Sequence, residues 1–60
     1  MDFSVFVGKV VRVDLVSSSK YFHHGKVLEA DDRFVKMNDE KNRIVFVRID
    51  DIKNIREDGE

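Results

Sequence analysis

Apolar and polar residues alternate along most of this chain, and the period of two predicts β-strands. In residues 9–16 every second side chain is apolar, namely Val11, Val13 and Leu15. The side chains between them are mostly charged, as expected for a strand that buries one face and exposes the other. Residues 9–16 are therefore predicted to form a half-buried first strand.

The stretch from Tyr21 to Met37 predicts two further strands. Residues 21–28 and 34–37 have strand composition, and a short polar turn, residues 29–33, separates them. Gly25 lies inside the first of these strands. A Gly at such a place marks a bulge, a sharp bend or the close approach of another backbone.

The next strand, residues 43–49, is apolar on both faces. Ile44 and Phe46 lie on one face, and the other carries Val45, Val47 and Ile49. A strand of this kind needs cover on both sides, and a chain of 60 residues has little to cover an outer face. The pattern predicts a contact between subunits. A short fifth strand follows at residues 52–56.

The N-terminal residues predict one helical turn. Asp2 can cap it, Phe3 and Phe6 are three positions apart on one side, and Gly8 can end it. One short helix followed by five evenly spaced strands predicts an all-β fold, a small and strongly bent antiparallel barrel. We assign residues 1–56 to this domain.

The formal net charge is −1. Residues 57–60 hold three of the twelve acidic residues and are predicted to form a frayed acidic tail. Residues 1–56 then carry eleven basic against nine acidic residues, a balance of +2. This mild excess falls short of what strong duplex binding needs, but it leaves room for a basic patch and a short single strand.

The chain has no Cys, which excludes disulfides and thiolate zinc sites. Because so short a chain builds a thin core, oligomerisation is the remaining common means of stabilisation. Residues 1–8 lack the basic start and apolar run of a signal peptide, and no run of apolar residues is long enough to span a membrane. We expect a cytoplasmic protein.

Enzyme hypotheses find little support. Residues 17–19 are all Ser, but serine runs favour loops and no base is placed beside them. The acidic pairs at 31–32 and 50–51 fall in turns, and no Gly-rich phosphate loop is present. His23 and His24 are strand neighbours that point to opposite sides, so they cannot easily chelate one metal. We expect a binding module with no enzymatic activity, cofactor or metal.

Two short patterns resemble the motifs of the Sm-like family, which includes Sm and Lsm proteins and bacterial Hfq. The first motif has a Gly in the second strand, an apolar residue two positions later and an Asp six positions after the Gly; here these are Gly25, Val27 and Asp31. The second motif has an apolar pair, an Arg and a later apolar residue; here these are Phe46, Val47, Arg48 and Ile52. The resemblance covers residues 3–56.

Two positions depart from the family pattern. The family commonly has an Asn ten positions after the motif Gly, where it reads uracil, and this chain has Val35 there. The Gly that usually follows the motif Arg is Ile49.

The resemblance implies a ring of six or seven copies, closed by pairing of the fourth strand of one subunit with the fifth of the next. Such closure would remove unpaired edges and cover the strand at Val45, Val47 and Ile49. It also implies binding of short single-stranded, usually uridine-rich RNA near the pore, as a scaffold or chaperone. The implied RNA-binding residues are Asp31, Arg33, Phe34, Arg48 and Asp50.

Each implied role has an alternative. Phe34 or the Arg33 guanidinium can stack on a base, and Arg48 can bind a carbonyl or a phosphate. Alternatively, Phe34 packs in the core, Arg48 forms a salt bridge between subunits, and Asp31 only stabilises its turn. Residues 21–24 can form an outer face for a second RNA or a protein. The competing function is a protein-interaction or structural small barrel of the Src-homology type, without nucleic acid.

Overall fold

The computed structural model describes residues 2–59 and contains five strands and two short 3₁₀ turns. The strands are β1 (Val10–Leu15), β2 (Phe22–Ala30), β3 (Phe34–Asp39), β4 (Ile44–Arg48) and β5 (Ile52–Glu57). The 3₁₀ turns are Phe3–Phe6, before β1, and Ile49–Asp51, between β4 and β5.

The five strands form one antiparallel sheet in the order β4-β3-β2-β1-β5. The prediction of an all-β fold with five antiparallel strands is confirmed. Within residues 2–59, β4 and β5 lie at opposite edges and do not pair with each other. Each therefore leaves one row of backbone N–H and C=O groups without a partner strand.

The inward face of the sheet forms a small core of Val and Met side chains. Its buried members are Val11, Val13, Val27, Val35, Met37 and Val47. They come from β1, β2, β3 and β4 at alternating positions, as the period of two requires. Five of the six are fully inaccessible to solvent.

The two faces of strand β4 differ in how far the chain buries their side chains. Val47 is buried in this core, and Val45 and Ile49 pack against it. On the opposite face Ile44 and Phe46 are 51% and 61% exposed. The expectation that a neighbouring subunit covers this face is wrong for Val47, which the chain buries itself, and Val45 and Ile49 are already half-buried against the same core. The uncovered apolar pair is Ile44 and Phe46.

Gly25 marks a close approach of two backbones. It pairs in register with Asp39 across β2 and β3. A Cβ on Gly25 would overlap the carbonyl oxygen of Asn38 and lie 2.8 Å from Asp39 Cα. The bulge in this pair of strands occurs elsewhere, between Val27 and Glu29. Of the three predicted reasons for Gly at this position, the structure shows the close approach.

The N-terminal turn forms where it was predicted, as a single 3₁₀ turn. The Asp2 carboxylate accepts a hydrogen bond from Ser4 N at 2.9 Å, which caps the turn. Gly8 follows with a φ of 87°, a left-handed conformation that favours glycine. Both helical segments of the described chain are short 3₁₀ turns, and neither has the length or hydrophobicity needed to cross a membrane.

The C-terminal residues continue the sheet beyond the predicted limit at residue 56. Strand β5 ends at Glu57, and Asp58 N donates to Val10 O at 2.9 Å. The first two residues of the predicted tail are thus hydrogen-bonded or within a strand. Glu60, the last residue assigned to that tail, lies outside the described residues.

Candidate nucleic-acid interface

Two loops meet at one end of the sheet and line a cavity of about 530 Å³ that is open to solvent. One is the connection between β2 and β3, and the other is the end of β4 with the 3₁₀ turn that follows it. Ile49 N donates to Arg33 O at 2.8 Å, which joins the two loops. We call this the loop cavity, and its lining residues are Asp32, Arg33, Phe34, Arg48, Ile49 and Asp50. It brings together four of the five predicted RNA-binding residues.

The fifth predicted residue, Asp31, shapes the loop and does not line this cavity. Its Oδ1 accepts hydrogen bonds from the backbone N–H groups of Arg33 and Phe34, both at 2.8 Å. These two bonds, the one from Phe34 first, hold the pKa of Asp31 below its ordinary value. The carboxylate is thus already engaged with its own turn, in agreement with the alternative role considered for it.

Phe34 lies outside the buried core. Its side chain is 39% exposed, and its ring meets the Phe46 ring edge-on at a centroid distance of 6.3 Å. In the β3–β4 register Phe34 stands directly opposite Arg48. Side chains at directly opposed positions share one face of a sheet. An aromatic ring and a guanidinium are therefore neighbours at the mouth of the cavity.

Arg48 forms an ion pair within its own chain. Its guanidinium lies 3.2 Å from Asp50 Oδ2, and both side chains are exposed. An exposed pair of this kind contributes little to stability. It uses one of the five N–H donors of the guanidinium, which leaves the others able to bind a ligand.

Two lining residues, Asp32 and Ile49, were not among the predicted site residues. Ile49 packs against the core from below and gives the cavity an apolar floor. Asp32 is exposed at its rim. The only sequence signal for Asp32 is its position next to Asp31 in a turn. The sequence does not reveal which of two neighbouring carboxylates is used by the backbone and which faces the cavity.

The position where the Sm-like family commonly carries an Asn is part of the hydrophobic core. Val35 is fully buried and pairs with Ala30 on one side and Val47 on the other. Its side chain points away from the face that carries Phe34, because successive strand residues alternate. No amide is available at this position to read a base.

A second surface combines aromatic and basic side chains on the outward side of β1, β2 and β5. The Arg12 guanidinium lies 3.9 Å above the centre of the Phe22 ring. Tyr21 is 67% exposed, with Lys20 Nζ 5.9 Å from its ring centre. We call this the basic face; its lining also includes Asp14, Leu15, Ser18, Ser19, Lys53 and Asn54, and the Asp14 carboxylate pairs with Arg12 at 3.1 Å. It shares no residue with the loop cavity.

The two adjacent histidines do not act as a pair. His24 Nε2 contacts Asp58 O at 2.9 Å, and Nδ1 lies 3.3 Å from Glu40 Oε2. The contact with Asp58 ties β2 to the residue after β5, whereas Nδ1 lies near Glu40 without a hydrogen bond. Among residues 2–59, no group of three or more His, Cys, Asp or Glu side chains is arranged to hold a metal ion.

Comparison with known proteins gives one result. No curated protein and no solved structure matches this chain. A family model matches residues 3–58, which is nearly the whole described chain. The protein therefore belongs to the family described as a domain of unknown function, DUF6897.

Proposed function

We propose that this protein is an Sm-like small barrel that assembles into a ring of six or seven identical subunits and binds short single-stranded RNA. In this role it acts as an RNA scaffold or chaperone in the cytoplasm. This role consists of binding RNA and needs no catalytic group.

The loop cavity is the observation that carries the proposal. It gathers Arg33, Arg48 and the exposed ring of Phe34 around one opening. This combination suits single-stranded nucleic acid, because an aromatic side chain stacks on a base and guanidinium groups contact phosphates or base edges. The mild charge balance of residues 1–56 agrees with a short ligand better than with a duplex.

The two free sheet edges support the assembly. Within residues 2–59, strands β4 and β5 each lack a neighbouring strand on one side. Exposed edges of this kind invite pairing with another chain. On β4 the exposed side chains of Ile44 and Phe46 add an apolar surface beside the edge. A ring that pairs β4 with the β5 of the next subunit would cover both features, and repetition of a weak site around it would raise the affinity for RNA.

Uridine is not a requirement of this proposal. The preference of the Sm-like family for uridine-rich RNA depends on an Asn that this chain replaces with the buried Val35. The proposal therefore concerns single-stranded RNA, and the choice of base must come from the other residues of the loop cavity.

A protein-interaction module is the second candidate function. The free edge of β4 favours it, since an extended segment of another protein can add a strand to an open edge. The exposed Tyr21 and Phe22 on the basic face would fit a protein partner as well.

The test measures assembly and RNA binding on the same sample. Native mass spectrometry of the protein with a short oligoribonucleotide is expected to show six or seven copies carrying RNA. Fluorescence anisotropy is expected to show affinity that falls as salt rises from about 50 mM to about 300 mM. Arg48→Ala is expected to weaken binding about tenfold, because it removes a charged donor from every subunit of the ring.

Lys41→Ala is the matched control. It removes the same charge from the turn after β3, at the other end of that strand from Phe34. Equal affinity of the wild type and Arg48→Ala would remove Arg48 from the site. A ring that binds no RNA would favour the protein-interaction function. A monomer would contradict the ring and the role assigned to Ile44 and Phe46.

A further inference from the structure

The charges of the loop cavity are balanced, which is unusual for a site that only holds phosphates. Its lining contains two arginines, Arg33 and Arg48, and two aspartates, Asp32 and Asp50. Phosphate groups carry negative charge, so two carboxylates at the same opening would oppose their binding. The two carboxylates suit a ligand that donates hydrogen bonds to them and also accepts hydrogen bonds from the arginines.

Asp31, and not Asp32, provides the side-chain hydrogen bonds of the turn between β2 and β3. The backbone N–H groups of Arg33 and Phe34 are both satisfied by Asp31 Oδ1. Asp50 is held at 3.2 Å from Arg48 and orients that guanidinium. Asp32 is exposed on the loop between β2 and β3 and lines the same cavity as Arg48. It is the acceptor that can meet a donor-bearing base edge.

Base edges differ in how they fit a carboxylate and a guanidinium together. Guanine offers O6 and N7 as an acceptor pair that an arginine can bind in a bidentate manner. It also offers N1–H and the 2-amino group side by side, a donor pair that matches the two oxygens of a carboxylate. Uracil has one N–H between two carbonyl groups, and those carbonyls repel a carboxylate. Adenine lacks the O6 acceptor.

We propose that the loop cavity selects guanine in single-stranded RNA. The carboxylate of Asp32 accepts hydrogen bonds from N1–H and the 2-amino group. Arg48, oriented by Asp50, donates to O6 and N7, and Phe34 stacks on the ring. This inference rests on the proposed RNA binding and adds the base that the site recognises. The residues of the cavity would then select the base, which the buried Val35 cannot do.

The experiment compares RNAs of about ten nucleotides that are identical except at one central position. That position is guanosine, inosine, adenosine or uridine in an oligoadenylate background, and a single guanosine avoids four-stranded structures. Inosine keeps O6, N7 and N1–H and lacks only the 2-amino group. Anisotropy is expected to show guanosine binding about tenfold tighter than uridine, and inosine intermediate, about threefold weaker than guanosine.

Asp32→Asn is the diagnostic variant. An amide has one acceptor oxygen and one donor NH2 group in place of two acceptor oxygens, so it cannot pair side by side with N1–H and the 2-amino group. The preference for guanosine over inosine is therefore expected to disappear. Affinity for the uridine-containing RNA should stay the same or rise, because a negative charge near the phosphates is removed. Glu40→Gln, in the turn after β3, removes the same charge away from the cavity and should keep the preference for guanosine.

The outcomes separate this inference from the proposed function. Equal affinity for all four RNAs, or tighter binding of uridine, would overturn the selection of guanine and leave RNA binding intact. Loss of affinity for every RNA by the same factor in Asp32→Asn would also overturn it, since that would indicate a general effect on the loop. No binding of any RNA at low salt would overturn both proposals.

Discussion

The two faces of the single sheet differ in what the chain itself provides for them. The inward face is closed by six buried side chains that come from four strands. The outward face carries aromatic side chains that remain partly in water, namely Phe22, Phe34 and Phe46, and Tyr21 is exposed on the loop before β2. Several of these rings are contacted by a cation, such as Arg12 over Phe22 and Lys36 near Phe46.

The inward face stabilises the fold, and the outward face leaves side chains available for contacts. Branched aliphatic side chains fill the narrow space under the sheet, and burial of their apolar area drives folding. The large aromatic rings are placed where they can meet a ligand or another subunit, an arrangement typical of binding surfaces. Strand β4 shows both roles at alternating positions, with Val47 inside and Phe46 outside.

The largest expected effect is that of placing an amide on the inward face. Val35→Asn, which introduces the residue common in the Sm-like family, buries a polar group that has no partner among apolar neighbours. We expect a loss of about 3 kcal/mol or more in the free energy of unfolding, measured by urea denaturation. That is between about a third and all of the stability of a 60-residue domain, roughly 3–9 kcal/mol.

Ile44→Asn is the matched change on the outward face. Ile44 is half exposed already, so the same substitution is expected to cost the chain less than about 1 kcal/mol. Similar losses for the two variants would contradict the distinction between the faces.

An intermediate effect is expected from Phe46→Ser on the outward face of β4. Phe46 is 61% exposed and contributes little to the core. The isolated chain should therefore remain folded by circular dichroism. Assembly should shift from ring to monomer in native mass spectrometry, because the edge loses its apolar cover. Tyr21→Ser, an equally exposed aromatic away from β4, should leave the assembly unchanged. A ring that survives Phe46→Ser would show that this face is free for another ligand.

The smallest effect concerns the polar turn that joins β3 to β4. Asp39 accepts hydrogen bonds from Arg43 N and Lys41 N, and the bond from Arg43 is the main reason that its pKa lies below the ordinary 3.8. A lowered pKa in the folded state means that the charged form adds stability above pH 3.8. This contribution is lost as the pH falls through the lowered value.

Asp39→Asn should therefore make the loss of stability on acidification shallower, as measured by the urea midpoint between about pH 6 and about pH 2. Asp32→Asn, the same substitution at an exposed carboxylate of the loop between β2 and β3, serves as the control and should retain the pH dependence of the wild type. An unchanged acid profile in Asp39→Asn would mean that the turn makes no measurable contribution to stability in this range.

The strands were predictable because their pattern is local. Val11 and Val13 alternate with charged neighbours, and this period is the same in the sequence and in the sheet. Gly25 was singled out by composition alone, and the overlap that a Cβ would make with the Asn38 carbonyl explains it. The ends of elements were less predictable, since β5 gains Glu57 only through pairing with Val11 on β1.

The site was predictable only in part. Arg33, Phe34, Arg48 and Asp50 were identified from motif spacing and do share one cavity. The different roles of the two acidic neighbours were not predictable. Asp31 binds the backbone of its own turn and Asp32 lines the cavity, and this difference in loop geometry is not encoded in a sequence pattern. The cover of strand β4 was assigned to the wrong face for a similar reason, since a strand that is apolar on both sides gives no sign of which side is inside.

By itself, the sequence of this protein determined the all-β class, the number of strands and the capped N-terminal turn. These follow from short-range chemistry: alternation of side chains, the conformational freedom of Gly8 and the capping carboxylate of Asp2. Only the tertiary structure decided which face of β4 is buried, which loops enclose the cavity and which carboxylate faces it. These depend on register and on contacts between residues far apart in the chain, where a shift of one position reverses every side chain.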